Sequence, residues 1–185
     1  MKRMEEDVER ILHSEQELKE RVRELGKQIT EDYKDDEPVV LICILRGSVM
    51  FFADLARNMD LRANLEFMTV SSYGNNASTS GLVEIKKDLD CNIEGRNVII
   101  AEDIIDSGYT LSELKKILMT RNPKSLKIVC LLDKPEGRRE GVDIKPDYCG
   151  FTIENEFVVG YGLDYAQMYR NLPYVGVLKR SVYEK

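Results

Sequence analysis

VIIAEDIIDSGYTLSELKKIL, residues Val98 to Leu118, changes character twice along its length. Val98 to Ala101 is uniformly apolar and reads as the end of a buried strand. Glu102 and Asp103 follow, then Ile104 and Ile105, then a third acid, Asp106. Ser107-Gly108-Tyr109-Thr110 is short and rich in hydroxyls. From Leu111 the apolar residues fall at 111, 114, 117 and 118, a helical spacing. The chain therefore passes from strand through a short loop into a helix. A helix N-terminus leaves amide N–H groups unpaired, with the positive end of the helix dipole behind them. That arrangement attracts a phosphate, and Ser107 and Thr110 add hydroxyl donors. The stretch reads as a phosphate cradle without the lysine of a Walker loop.

Three carboxylates beside such a cradle repel phosphate unless a cation lies between them. Mg2+ meets that need, because it takes oxygen ligands and shares them with a diphosphate. Carboxylates also accept hydrogen bonds from sugar hydroxyls. A phosphorylated sugar with a Mg2+-bound diphosphate satisfies every part of the stretch. The plainer alternative is a helix cap at Asp106-Ser107 and a solvated strand end at Glu102-Asp103. For an isolated D-S-G-x-T that alternative is the better one. Strand, paired acids, apolar pair, cradle and helix in a single run favour the ligand site.

Working outward, Val39–Leu45 (VVLICIL) is apolar throughout and β-rich, as a central parallel strand is. Arg46-Gly47-Ser48 then leads into a helical stretch from Val49 to about Asn58. This is a second strand–turn–helix unit, and open parallel sheets bind ligands at the carboxyl ends of their strands. Arg46 there can neutralise a diphosphate, and Gly47 lets the backbone approach it; a structural turn with a surface arginine is the alternative. Leu65–Val70 alternates as a further strand, and Val83, Ile85, Lys86 and Lys87 form a returning one. Between them, Ser71–Gly81 is small and polar, either a passive loop or a lid that excludes water. Downstream, Asn122-Pro123 stops the helix. Leu126–Leu132 is the next buried parallel strand, ending at Asp133-Lys134-Pro135. Tyr148–Ile153, Phe157–Tyr161 and Val175–Leu178 read as short strands. Near the N-terminus, Ser14 to Glu17 forms a capping box, and Leu18, Val22, Leu25 and Ile29 share one helical face. The pattern is that of an α/β fold, a central twisted, mostly parallel sheet flanked by helices.

Val98–Leu111 resembles the phosphoribosyl-diphosphate signature of the type I phosphoribosyltransferases. Leu45-Arg46-Gly47-Ser48 is similar to the diphosphate-binding turn of that family's purine enzymes. Phe151–Val177, FTIENEFVVGYGLDYAQMYRNLPYVGV, closely resembles the purine-site segment of its hypoxanthine(-guanine) branch. The similarity runs from about Val39 to Val177. It implies one domain over residues 1–185, with a core at about 35–135. A small hood would come mainly from about 140–185 plus N-terminal residues. It implies a purine-salvage transferase that moves the phosphoribosyl group to N9 of hypoxanthine or guanine, with Mg2+ as cofactor.

The same resemblance distributes the roles. Ser107, Gly108, Tyr109 and Thr110 would hold the 5′-phosphate, and Glu102 and Asp103 the ribose hydroxyls. Asp106, beside the phosphate, would also take the purine N7 proton. Arg46, Gly47 and Arg170 would meet the diphosphate, at a turn whose Leu45–Arg46 peptide is cis. Lys134 would donate to the purine's exocyclic oxygen; a lysine only donates, so it selects a 6-oxo over a 6-amino group. Phe157 would stack on the ring, Val158 would meet its edge through the backbone, and Asp164 at the purine site would join Glu102 and Asp103 as a metal-holding acid. Ser72-Tyr73 matches the family's lid pair. Either Arg138 or Arg139 could reach the diphosphate. The ranking of hypoxanthine, guanine and xanthine stays open, as does homodimer against homotetramer.

The 185 residues, 43% hydrophobic and 32% charged, have a globular composition. A formal charge of −6 argues against an extended nucleic-acid surface, and requires local cations for an anionic substrate. No apolar run approaches membrane-spanning length and MKRMEEDVER has no signal-peptide core, so the cytoplasm is expected. Cys43, Cys91, Cys130 and Cys149 are widely spaced, without C-x-x-C, which points away from disulfides and zinc. The single His13 excludes a His-rich metal site. Two rivals remain: a related enzyme using another base, and a regulator that keeps the site as a sensor.

Overall fold

In the computed structural model, residues 4–36, 38–72 and 83–184 are described. They form β1 (Val8–His13), α1 (Glu15–Tyr33), β2 (Val39–Leu45), α2 (Val49–Asn58), β3 (Ala63–Ser72) and β4 (Val83–Lys87). The chain continues through β5 (Asn97–Ile105), α3 (Tyr109–Met119), β6 (Ser125–Asp133) and β7 (Tyr148–Thr152). It ends with β8 (Val158–Val159), β9 (Val175–Leu178) and the short helix α4 (Arg180–Tyr183). Tyr73 to Gly81, most of the expected lid, lies outside the described residues.

The central sheet has the order β4-β3-β2-β5-β6-β7. All its pairings are parallel except β3 with β4. β2 shows why its run is apolar without interruption. Val39, Leu41 and Cys43 point into one core, with α1 and α2. Val40, Ile42 and Ile44 point into the other, with α3. Both faces are covered, so alternation has no polar side to serve. Each such side chain stabilises the fold by roughly 1.5–3 kcal/mol when fully buried.

The N-terminal signals also hold. Ser14 Oγ accepts from the Glu17 N–H at 3.3 Å, and the Glu17 carboxylate accepts from the Ser14 N–H at 2.8 Å. The face carrying Leu18, Val22, Leu25 and Ile29 is buried. β7 joins the central sheet, which therefore extends to Thr152, past the core boundary expected near 135.

A second, antiparallel sheet has the order β1-β9-β8. It is the small hood of N- and C-terminal strands. Val8–His13 is its first strand, and the His13 ring stacks on Phe151 of β7 at 3.8 Å, joining hood to core. The strand expected over Phe157–Tyr161 shrinks to Val158–Val159. Gly160, Tyr161 and Gly162 take φ of 98°, 49° and 105°, which turns the chain back instead of extending it. No helix among the described residues is long and apolar enough to cross a membrane.

Candidate active site

The carboxyl ends of β2, β5 and β6 lie side by side, in register from Cys43 to Ala101 to Val129. The loops that leave these three strand ends build one site. After β5 the chain turns at Gly108, whose φ is 70°. A Cβ there would press on Ile144 at 2.5 Å, so both conformation and space call for glycine. α3 starts at the next residue, and its first N–H, that of Tyr109, donates to Ser107 Oγ at 3.5 Å. Its first turn faces a cavity of about 140 Å3 lined by Glu102, Asp106, Ser107, Gly108 and Thr110. A helix start that opens on a cavity is a place where an anion can bind. The Tyr109 ring turns elsewhere, under the Arg139 guanidinium at 4.8 Å.

The paired acids are organised by the last residue of the Leu45–Ser48 turn, to which the sequence gives no role of its own. Ser48, fully buried at the start of α2, donates from Oγ to Glu102 at 3.4 Å. The same oxygen accepts from the Asp103 N–H at 3.1 Å. Asp103 in turn accepts from the Ile104 N–H at 2.8 Å. Burial raises the carboxyl pKa values of both acids above the usual carboxylate range. The Asp103 charge adds to the rise at Glu102, and the Arg170 guanidinium opposes it at Asp103. Gly47 leaves room for this arrangement, because a Cβ at 47 would collide with the Asp103 carboxylate. The Leu45–Arg46 peptide is cis, as the resemblance implies.

A second cavity, about 210 Å3, adjoins the acids. Asp103, Ile104, Asp106, Lys134, Glu156, Phe157, Val158, Leu163 and Asp164 line it. Lys134 is only 6% exposed, yet its Nζ lies 2.9 Å from Asp106 and donates to the Glu156 carbonyl at 3.3 Å. One buried ammonium thus ties the β5 loop to the β7–β8 loop. Gly137 sits against the Asp106 carboxylate, where a Cβ would clash. Ile104 belongs to the lining, although in sequence it reads only as part of an apolar pair.

The two candidate arginines of the β6–β7 loop are both engaged away from Arg46 and Arg170. Arg138 turns inward, where it donates to the Ile105 and Asp106 carbonyls at 2.5 and 2.7 Å and pairs with Asp133. Arg139 packs on Tyr109 and donates its backbone N–H to Ser107 O at 3.0 Å. The loop is therefore stitched onto the phosphate turn.

Arg46 and Arg170 do meet. Both donate to Gln167 Oε1, at 3.2 and 3.3 Å, and Arg170 pairs with Asp164 at 2.6 Å. Gln167 carries no sequence signal for this role, because it depends on a left-handed turn with φ of 67°. Gly162 lets that segment approach the β2 turn, since a Cβ would strike Gly47 O. A larger cavity of about 640 Å3, lined by Lys19, Met50, Arg57 and Asn171 among others, lies apart from Asp106 and Lys134. Its lining also holds Glu15, Asp54, Tyr161 and Arg170, but Asp54 is already engaged by Arg57 and the Tyr161 hydroxyl, and none of residues 102–110 reaches it.

The phosphoribosyl transferase domain model matches residues 8–166, so this chain belongs to that family. It is 53% identical over 181 residues to a hypoxanthine-guanine phosphoribosyltransferase of Bacillus subtilis, covering 98% of this chain and 99% of the relative. A hypoxanthine phosphoribosyltransferase structure from Staphylococcus aureus superposes with a TM-score of 0.93 at 45% identity, covering 98% of this chain and 97% of that one. Another, a mutant hypoxanthine phosphoribosyltransferase from Trypanosoma cruzi in a ternary substrates complex, gives 0.91 at 45% identity, covering 96% and 99%.

Proposed function

We propose that this chain transfers the phosphoribosyl group of 5-phosphoribosyl-1-diphosphate to N9 of hypoxanthine or guanine, as an enzyme of purine salvage. One observation carries the reading: the start of α3 opens on a cavity beside another where Lys134, Asp106 and Phe157 converge. The 5′-phosphate takes amides of Ser107 to Thr110 and the hydroxyls of Ser107 and Thr110. Glu102 and Asp103 accept from the ribose hydroxyls. The purine enters the larger of the two cavities, against Phe157 and Ile104, with the Val158 backbone at its edge. Lys134 has three donor hydrogens, enough for the 6-oxo group while it stays near Asp106.

As the bond from C1′ to the diphosphate oxygen breaks, the sugar gains oxocarbenium character, which the nearby carboxylates favour. The N9 lone pair closes on C1′, and the N7 proton passes to Asp106. That transfer is worth about 10²–10⁴-fold as general-base catalysis. Arg46 and Arg170 meet the charge of the departing diphosphate. Ser72 and Tyr73 are assigned to a lid over the reaction on kinship alone.

Mg2+ fits the acids. Burial works against the charge of Glu102 and Asp103, and Arg170, already paired with Asp164, is the cation that opposes it at Asp103. Among the described residues no three His, Cys, Asp or Glu side chains could hold an ion by themselves. Mg2+ characteristically takes one or two carboxylates and completes its shell with water and substrate phosphate oxygens. Glu102, Asp103 and Asp164 are the residues that would hold it, and when bound it would offset diphosphate charge. A cytoplasmic homodimer or homotetramer is the assembly we propose, to be measured by analytical ultracentrifugation.

Steady-state assays with phosphoribosyl diphosphate and hypoxanthine, guanine, xanthine or adenine test the reading. Diphosphate release with hypoxanthine or guanine and none with adenine is expected. Equal turnover of adenine, or release with no purine, overturns it.

A further inference from the structure

Phe157 stands in an unusual place for a recognition residue. It precedes a two-residue strand, is 38% exposed, and lines the base cavity. A half-exposed phenylalanine in a loop has rotamers to choose from, and ordering it on binding weakens affinity. Here the ring is held from outside. Tyr183 stacks on it at 4.8 Å with the planes 23° apart. Tyr165 meets it edge-on at 5.7 Å and 86°. The two tyrosines also touch each other, at 6.5 Å and 63°. Neither tyrosine is among the residues that line the base cavity.

Tyr183 comes from α4, four residues that could not persist as an isolated helix. The tail is tied down just before it. Leu178 N–H donates to Phe157 O at 2.9 Å, and Lys179 N–H donates to Asp7 O at 2.9 Å. The Lys179 ammonium donates to Glu6 O at 2.6 Å. These bonds deliver Tyr183 to one position, flat on Phe157.

We infer that Tyr183 is a positioning residue for purine binding: the C-terminal helix serves as an aromatic backstop that presets the Phe157 ring for the base. The inference rests on the reading that Phe157 stacks on the purine. It also separates the two substrates. The phosphate cradle is built from residues 106–111 and has no share in the aromatic trio.

The test is steady-state kinetics on Tyr183→Ala, Tyr183→Phe and Phe157→Ala, with thermal midpoints measured alongside. Tyr183→Ala is expected to raise the purine KM about threefold to tenfold, the effect of one side chain left to order on binding. Its kcat and its KM for phosphoribosyl diphosphate stay within about twofold. Tyr183→Phe keeps the ring and restores the purine KM. Phe157→Ala raises it about tenfold or more, as loss of a base stack does. An unchanged purine KM in Tyr183→Ala beside a raised one in Phe157→Ala overturns the backstop and leaves the stacking reading standing. An unchanged purine KM in Phe157→Ala overturns the stacking reading, and the backstop with it. An equal rise in both substrates' KM values in Tyr183→Ala reduces Tyr183 to general support of the hood, which also overturns the inference.

Discussion

The phosphate turn and the base cavity lie next to each other and are built in opposite ways. The cavity at the turn is lined from one run of the chain, Glu102 to Leu111, around a helix start. The base cavity draws Asp103, Ile104 and Asp106 from the β5 end, Lys134 from the β6 end and Phe157, Val158 and Asp164 from the hood segment. Asp106 lines both cavities and Lys134 pairs with it, so that ion pair is the hinge between a local device and an assembled one. A contiguous anion site survives changes elsewhere in the fold. A site drawn from three segments depends on the contacts that keep those segments together.

Asp106→Asn gives the largest expected effect on that division. It should lower kcat by about 10²–10⁴-fold while leaving the KM for phosphoribosyl diphosphate nearly intact. An unchanged kcat removes Asp106 from the proton transfer. Lys134→Ala comes next. Loss of a charge-assisted hydrogen bond of about 1.5–3 kcal/mol should raise the purine KM roughly tenfold to a hundredfold. A rise confined to phosphoribosyl diphosphate would erase the distinction between the two regions. Ser48→Ala tests the acids from beneath. Its hydroxyl serves both Glu102 and the Asp103 N–H, so the kcat/KM for phosphoribosyl diphosphate should fall about fivefold, for about 1 kcal/mol, with purine KM little changed.

The smallest effect concerns the seat of the hood on the core. Burial lowers the His13 imidazole below its ordinary value of 6.5, against a smaller opposing pull from Glu17. The folded state therefore favours the neutral ring, and the unfolded chain binds the extra proton first. Stability should decline as pH falls through about 6.5 and level off below the folded-state value. The chain has one histidine, so a single imidazole resonance followed by NMR gives its midpoint directly. A midpoint at or above 6.5 contradicts the buried, neutral ring.

Much of the architecture is legible in the residue pattern alone. β2, β5 and β6 are apolar runs with helical spacing or turn residues behind them, and the capping box at Ser14 marks where α1 begins. The strand expected through Tyr161 fails because Gly160 and Gly162 take left-handed dihedrals to pass close to neighbouring backbone, which hydrophobic pattern does not encode. Arg138 looked like a candidate for the diphosphate. A guanidinium can serve carbonyls as well as phosphates, and only packing reveals that it serves Ile105 and Asp106. Ile104 and Gln167 escape notice for a related reason, and Ser48 shows only as the end of its turn: nothing in the type or spacing of a serine, an isoleucine or a glutamine announces its role.

By itself the sequence determined the phosphate cradle and the parallel α/β frame. Both arise from interactions between residues close along the chain: strand burial, helix spacing and amides left unpaired at a helix start. Tertiary structure decided which side chains meet: Lys134 beside Asp106, Phe157 against the C-terminal tail, and Arg46 with Arg170 on Gln167. Those meetings depend on strand order and on how closely the hood approaches the β2 turn, distances that no local propensity sets.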